Sequence, residues 1–150
     1  MRQPRFSFEL TVPGEPAQVW ARVWDLDRHT AAVPLTRVVG CGPGGLSGGE
    51  RFVARTGLGP LGFDDEMVVR EWDPPHRAVI DKVGRVLTGS IEVTIEPAVC
   101  ASSAAAGAPS TRLRWSQRYG VTGVPGAVAG LAAPAVRAAY RRAVGRITRP

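Results

Sequence analysis

The sequence predicts an α+β fold, and three observations carry the prediction. Apolar and polar residues alternate at period two at residues 6–12, and the alternation returns in several segments between residues 35 and 122. Two short amphipathic helical stretches separate that first strand from the later ones. A final stretch, residues 126–149, carries apolar residues in steps of three and four. The order of strand, two short helices, a run of strands and a long helix contains no βαβ alternation and no internal repeat. It therefore implies an antiparallel sheet of six to seven strands, with the long helix covering its apolar face.

Each element has local support. Phe6, Phe8, Leu10 and Val12 alternate with Ser7, Glu9 and Thr11, and Pro13-Gly14 ends the strand. Glu15-Pro16 opens the first helix, because proline is tolerated in a first turn; Val19, Trp20, Val23 and Trp24 form its apolar face. Residues 25–33 read as a second short helix capped by Asp25 or Asp27 and stopped by Pro34. Strands are expected at residues 35–41, 50–56, 63–73, 77–83, 85–96 and 111–122, with Pro74-Pro75 and Gly84 at turns. Residues 42–49 are a glycine-rich turn without a phosphate-loop pattern. Residues 97–110 are an Ala/Ser-rich loop, expected to be mobile and dispensable to the fold. In the last helix, Val128, Leu131, Ala132, Ala135, Val136, Ala139, Ala143, Val144 and Ile147 make a stripe of mostly small residues. Pro134 lacks an N–H, so this helix either kinks there or starts anew.

The chain of 150 residues suits one domain, residues 1–150, with 44% hydrophobic and 21% charged residues. Of its 19 basic residues, all but Lys82 are arginine. The net charge of +6 is uneven, since Glu96 is the last acidic residue. The basic end offers a surface to an anion or partner, but no aromatic-interleaved stripe or nucleic-acid motif accompanies it, so no nucleic acid is expected as a partner. No apolar run reaches membrane-spanning or signal-peptide length, so no stable membrane insertion is expected. Cys41 and Cys100 lie far apart and suggest reduced thiols and a cytoplasmic protein. Neither cofactor nor metal is expected: His29 and His76 are the two histidines, and no ligand spacing or nucleophile elbow occurs.

A resemblance sharpens this picture. PGEPAQVWARVWDLDRHTAAVP at residues 13–34, VVREWDPPHRAVI at residues 68–80, and TRLRWSQRYG with the stretch from Gly126 resemble the START-like or SRPBCC superfamily. Within it, the chain is similar to the polyketide cyclase/dehydrase and lipid-transport proteins. The resemblance covers most of the chain and implies a helix-grip fold: a curved sheet wrapped around the C-terminal helix with a cavity between. It implies binding of a hydrophobic small molecule, lipid or polyketide-like. The alternative is a cyclase/dehydratase-type enzyme using the same cavity, and a third reading is a protein-interaction or co-chaperone-like module. It supplies no catalytic set, and oligomeric state and ligand identity stay open.

If the concave face lines a pocket, period-two phase selects its residues. On the last strand these are Trp115, Gln117 and Tyr119; on the long strand they are Phe63, Asp65 and Met67. The last helix would add Val128, Leu131 and Ala135, with residues 128–133 acting as a gate. An inward Asp65 in apolar surroundings would have a raised pKa and could serve as a general base. Tyr119 and Gln117 would orient a ligand carbonyl or hydroxyl, unless Tyr119 merely bonds backbone at a strand end.

Overall fold

The computed structural model describes residues 3–40, 45–98 and 107–150. Strand β1 (Arg5–Pro13) leads to helices α1 (Pro16–Val23) and α2 (Leu26–Ala32). Strands β2 (Thr36–Val39), β3 (Arg51–Leu58), β4 (Leu61–Asp73), β5 (Arg77–Val83), β6 (Leu87–Pro97) and β7 (Ser110–Val121) follow. Helices α3 (Gly126–Leu131) and α4 (Ala133–Ile147) close the chain. The strands form one seven-stranded antiparallel sheet in the order β1-β7-β6-β5-β4-β3-β2. It curves into a half-barrel, with α4 packed inside against β1 and α2.

Register explains what faces inward. Phe6, Gln117, Ile91, Ile80 and Val69 stand side by side on β1, β7, β6, β5 and β4, and all are buried. The next row pairs Tyr119 with Gly89, Gly89 with Lys82, Lys82 with Met67 and Met67 with Phe52. Gly89 leaves a gap in that row. Its φ is +132°, and an added Cβ would collide with the carbonyl oxygen of Arg118, so only glycine fits. On β4 the register slips between Val69 and Glu71. This β-bulge moves the inward phase from odd to even residues, and so Trp72 joins the inner face.

Helix α1 begins with a capping box between Glu15 and Gln18, with Pro16 in its first turn. Its Trp20 packs edge-on against Trp72 at 4.8 Å between ring centroids, and Trp24 against Trp72 at 5.3 Å. These three indoles join the first helix to the bulged end of β4. Asp25 caps α2 by accepting from the backbone N–H groups of Asp27 and Arg28.

Several sequence expectations need correction. The strand expected at residues 35–41 is shorter, because Leu35 takes a left-handed φ of 57° and Gly40 a φ of 121°. The last helix breaks at Ala132, with Pro134 in the first turn of α4. Of the two outcomes that proline allowed, the new helix start is the one adopted. The break also ends the continuous stripe: Val128 and Leu131 are exposed, Leu131 at 82%, and Ala135 is exposed too. The inward face of α4 instead runs through Ala133, Val136, Tyr140, Val144 and Ile147. Most of the Ala/Ser-rich loop, and both Cys41 and Cys100, lie outside the described residues. Pro97 pairs with Thr111, so that loop is the connection of the β6–β7 hairpin.

Candidate functional site

The two halves of the half-barrel are filled differently. Against β1 and β7, α4 packs solidly: Phe6 meets Tyr140 at 5.5 Å, and Trp115 meets Tyr140 at 5.9 Å between centroids. Toward β2–β5 the interior is hollow. A cavity of about 270 Å³ lies there, roofed by α2 and closed at the back by α4. That is just below the ~300–1,000 Å³ typical of small-molecule sites.

The wall is mostly apolar, with Phe52, Met67, Ile80, Ile91 and Trp115 among its residues. Of the residues expected at a site, Phe63, Asp65, Met67 and Trp115 line this cavity. Gln117 and Tyr119 share the correct phase but lie behind the wall. Gln117 accepts a hydrogen bond from the Trp115 indole N–H at 3.1 Å, fixing that ring. Tyr119 donates to the carbonyl oxygen of Ala129 at 2.9 Å and fastens α3 to β7, the backbone role that was its alternative. Val128, Leu131 and Ala135 do not line the cavity, because the helix break turns them to solvent. None of residues 128–133, the expected gate, lines this cavity.

The wall also carries a polar cluster. Lys82 Nζ donates to Asp65 Oδ2, and both side chains are almost fully buried. Tyr140, on the facing helix, lines the same cavity. Burial pushes the Asp65 carboxyl above its ordinary value, while Lys82 pulls it back. Burial pulls the Lys82 ammonium down, but Tyr140 and Asp65 outweigh it and hold it above the ordinary lysine value. As a salt bridge, the two charges cancel. Two buried side-chain atoms of cavity-lining residues have no hydrogen-bond partner: Asp65 Oδ1 and Trp24 Nε1. An unpaired buried donor or acceptor costs about 1–3 kcal/mol.

His29 adds a further polar group, on α2 at the roof. Its Nε2 lies 2.5 Å from the carbonyl oxygen of Val23. A carbonyl can only accept, so Nε2 carries the proton and Nδ1 keeps its lone pair. Burial lowers the imidazole pKa, against the Val23 hydrogen bond and the charge of Asp25. The ring is therefore neutral at pH 7. Among the described residues, no cluster of three or more His, Cys, Asp or Glu could hold a metal.

Sequence reasoning missed Lys82, Tyr140 and Trp24 as cavity residues, and it set His29 near the cavity mouth only as a surface histidine. Lys82 carried a usable signal. It is the one lysine of the chain and shares the strand phase of Ala78 and Ile80. Tyr140 becomes legible only once Pro134 resets the helix phase.

A family model for polyketide cyclase / dehydrase and lipid transport matches residues 3–149. The chain belongs to that family. Solved structures with the same fold include a START superfamily protein from Mycobacterium smegmatis, with a TM-score of 0.71 and 15% identity over 95% of this chain and 96% of that one. TTHA0849 from Thermus thermophilus aligns at a TM-score of 0.65 and 15% identity, over 96% and 97% of the two chains. DR_A0006 from Deinococcus radiodurans aligns at 0.61 and 16% identity, over 96% and 94%. No curated protein matches the sequence. At such identities the structures share the fold with this member of the family. No helix among its described residues is long and apolar enough to cross a membrane.

Proposed function

We propose that the protein binds a hydrophobic small molecule, lipid or polyketide-like, in the cavity between the sheet, α2 and α4. The observation that carries this reading is the contrast within one core. Strands β1 and β7 meet α4 through close aromatic packing, whereas β3–β5 face about 270 Å³ of apolar-walled space. Binding there gains affinity from apolar burial, at about 25 cal/mol per Å² removed from water. Phe63, Met67 and Trp115 supply apolar contact, and Asp65 supplies a polar point of attachment. The test is binding of N-phenyl-1-naphthylamine, a neutral apolar fluorophore, to wild type and to Ala54→Phe, which fills the cavity wall beside Asp65. Wild type is expected to bind the probe, and the variant to lose at least tenfold in affinity with an unchanged far-UV circular dichroism spectrum. Equal binding by a folded variant sinks the reading. Native mass spectrometry of the freshly purified protein would give the mass of any retained ligand.

A second reading has its own observation. Asp65, Lys82, Tyr140 and a neutral His29 line one cavity, which gives it groups able to accept and donate protons. A cyclase- or dehydratase-type reaction needs such groups beside a held ligand. Turnover of a polyketide-like substrate that survives in His29→Gln and in a Lys82→Met/Asp65→Leu double variant would remove this reading.

A further inference from the structure

The outer face of the sheet carries a hollow that points away from the cavity. Register sets Ser116, Glu92 and Val79 side by side across β7, β6 and β5, with Arg5, Arg118 and Ser90 in the next row. Val79, Ser90 and Ser116 have short side chains, and Arg5, Arg70, Glu92 and Arg118 ring them. That difference in length leaves a polar hollow of about 230 Å³. Two of the ringing charges are already answered: Arg70 pairs with Asp81 at 3.5 Å, and Glu92 with Arg77 at 3.1 Å. Arg5 and Arg118 stand directly opposite one another on β1 and β7, and neither is in a salt bridge among the described residues. Like charges so placed repel. Arg118 donates through Nε and Nη2 to Ser90 Oγ, at 3.3 and 3.1 Å, which fixes its guanidinium and leaves other N–H groups available. Ser90 Oγ is the acceptor in both bonds, so its own O–H is left to donate. Along β5 and β7, Arg77, Arg112 and Arg114 all pair with carboxylates. The uncompensated charge of this part of the sheet therefore gathers at the hollow.

We infer that this hollow is a second binding site, for the phosphate group of a small soluble molecule, held between Arg5 and Arg118 with Ser90 and Ser116 donating from the floor. Two unanswered cations on adjacent strands call for two negative charges on one compact group. A carboxylate brings one; a phosphate brings close to two, and its several oxygens reach guanidiniums on either side. A nucleic acid or an anionic membrane calls on a broad basic surface, whereas here the surrounding arginines are already paired and Glu92 borders the hollow.

The experiment is isothermal titration calorimetry with inorganic phosphate at about pH 8, where phosphate is dianionic, against a chloride background of constant ionic strength. Wild type is expected to bind one phosphate per chain, more weakly as sodium chloride is raised. Arg5→Gln and Arg118→Gln should each lose about tenfold in affinity, as the loss of a charge-assisted hydrogen bond allows, with unchanged far-UV circular dichroism spectra. Glu92→Gln, which takes the carboxylate from the ring, should bind a few-fold tighter. Arg37→Gln removes the same charge from β2, at the far edge of the sheet, and should bind as wild type does. The inference is overturned if phosphate binds no better than chloride, if both Arg5→Gln and Arg118→Gln bind like wild type, or if Arg37→Gln loses as much as they do. Sedimentation with phosphatidylcholine vesicles containing phosphatidic acid is the second arm, and no binding is expected there. Vesicle binding that is lost in Arg118→Gln, with none to inorganic phosphate, would hand the site to a lipid headgroup and overturn the soluble ligand.

Discussion

Asp64 and Asp65 are neighbours on β4, yet they belong to different solvents. Asp64 points outward and pairs with Arg55 at 3.2 Å, with both side chains about half exposed. Asp65 points inward and pairs with Lys82, with almost no exposure on either side. The outer pair belongs to a lattice of exposed bridges that also includes Arg114–Glu9 and Arg77–Glu92. Such pairs contribute little, because water and salt screen them and long side chains must be ordered to make them. The inner pair is screened by neither, and desolvation sets its energetics. The same strand thus gives one carboxylate to solubility and the other to the interior, and the period-two pleat alone separates them.

The comparison can be broken from its strong side first. Lys82→Met should strand the Asp65 carboxylate in the wall and cost about 3–5 kcal/mol, read by denaturant titration. The double variant Lys82→Met/Asp65→Leu removes both charges and should recover most of that loss. A double variant as unstable as the single one would show that the lysine stem, and not charge pairing, holds the wall.

His29 extends the same contrast to a titrating group. Its pKa is lowered in the folded state, so the unfolded chain takes up the proton first as pH falls. Its contribution is present above the unfolded value near 6.5 and is lost as pH drops through the folded value. His29→Gln keeps a donor for the Val23 carbonyl but cannot titrate. Between about pH 7.5 and 5 its stability should fall less steeply than that of wild type. Parallel curves would mean that His29 is as solvated as a surface residue.

The smallest effect belongs to the outer face. Asp64→Asn should change stability by well under about 1 kcal/mol, and less still at high salt. A loss comparable to that of Lys82→Met would erase the distinction between the two faces.

Much of this arrangement is legible in the amino-acid sequence. Alternation places Phe63, Asp65 and Met67 on one face, and Trp115, Gln117 and Tyr119 on another strand's inward face, because period two survives any detail of packing. Depth is not legible. Gln117 and Tyr119 share the phase of Trp115 but sit where the half-barrel is filled, and phase does not report how far a helix lies above a strand. The apolar steps of the C-terminal stretch run as one phase across Pro134, but the restart at Ala133 rotates that phase. It sends Val128, Leu131 and Ala135 outward and brings Tyr140 in. The bulge at Arg70, which recruits Trp72, has no signal in the apolar pattern.

The roof of the cavity is also fastened to the far end of the chain. Arg28, on α2, donates to the carbonyl oxygens of Ile147 and Arg149, at 3.0 and 2.7 Å. Arg22, on α1, reaches the carbonyl of Thr148 at 3.4 Å and that of Pro13 at 2.8 Å. The contacts to Ile147 and Thr148 satisfy carbonyls that the end of α4 leaves without helical partners. Those of Arg28 tie α2 to the last turn of α4 and the residues after it. Loosening that last turn therefore also strips hydrogen bonds from the helix that roofs the cavity, so the C-terminal residues and the roof share one set of contacts through Arg28.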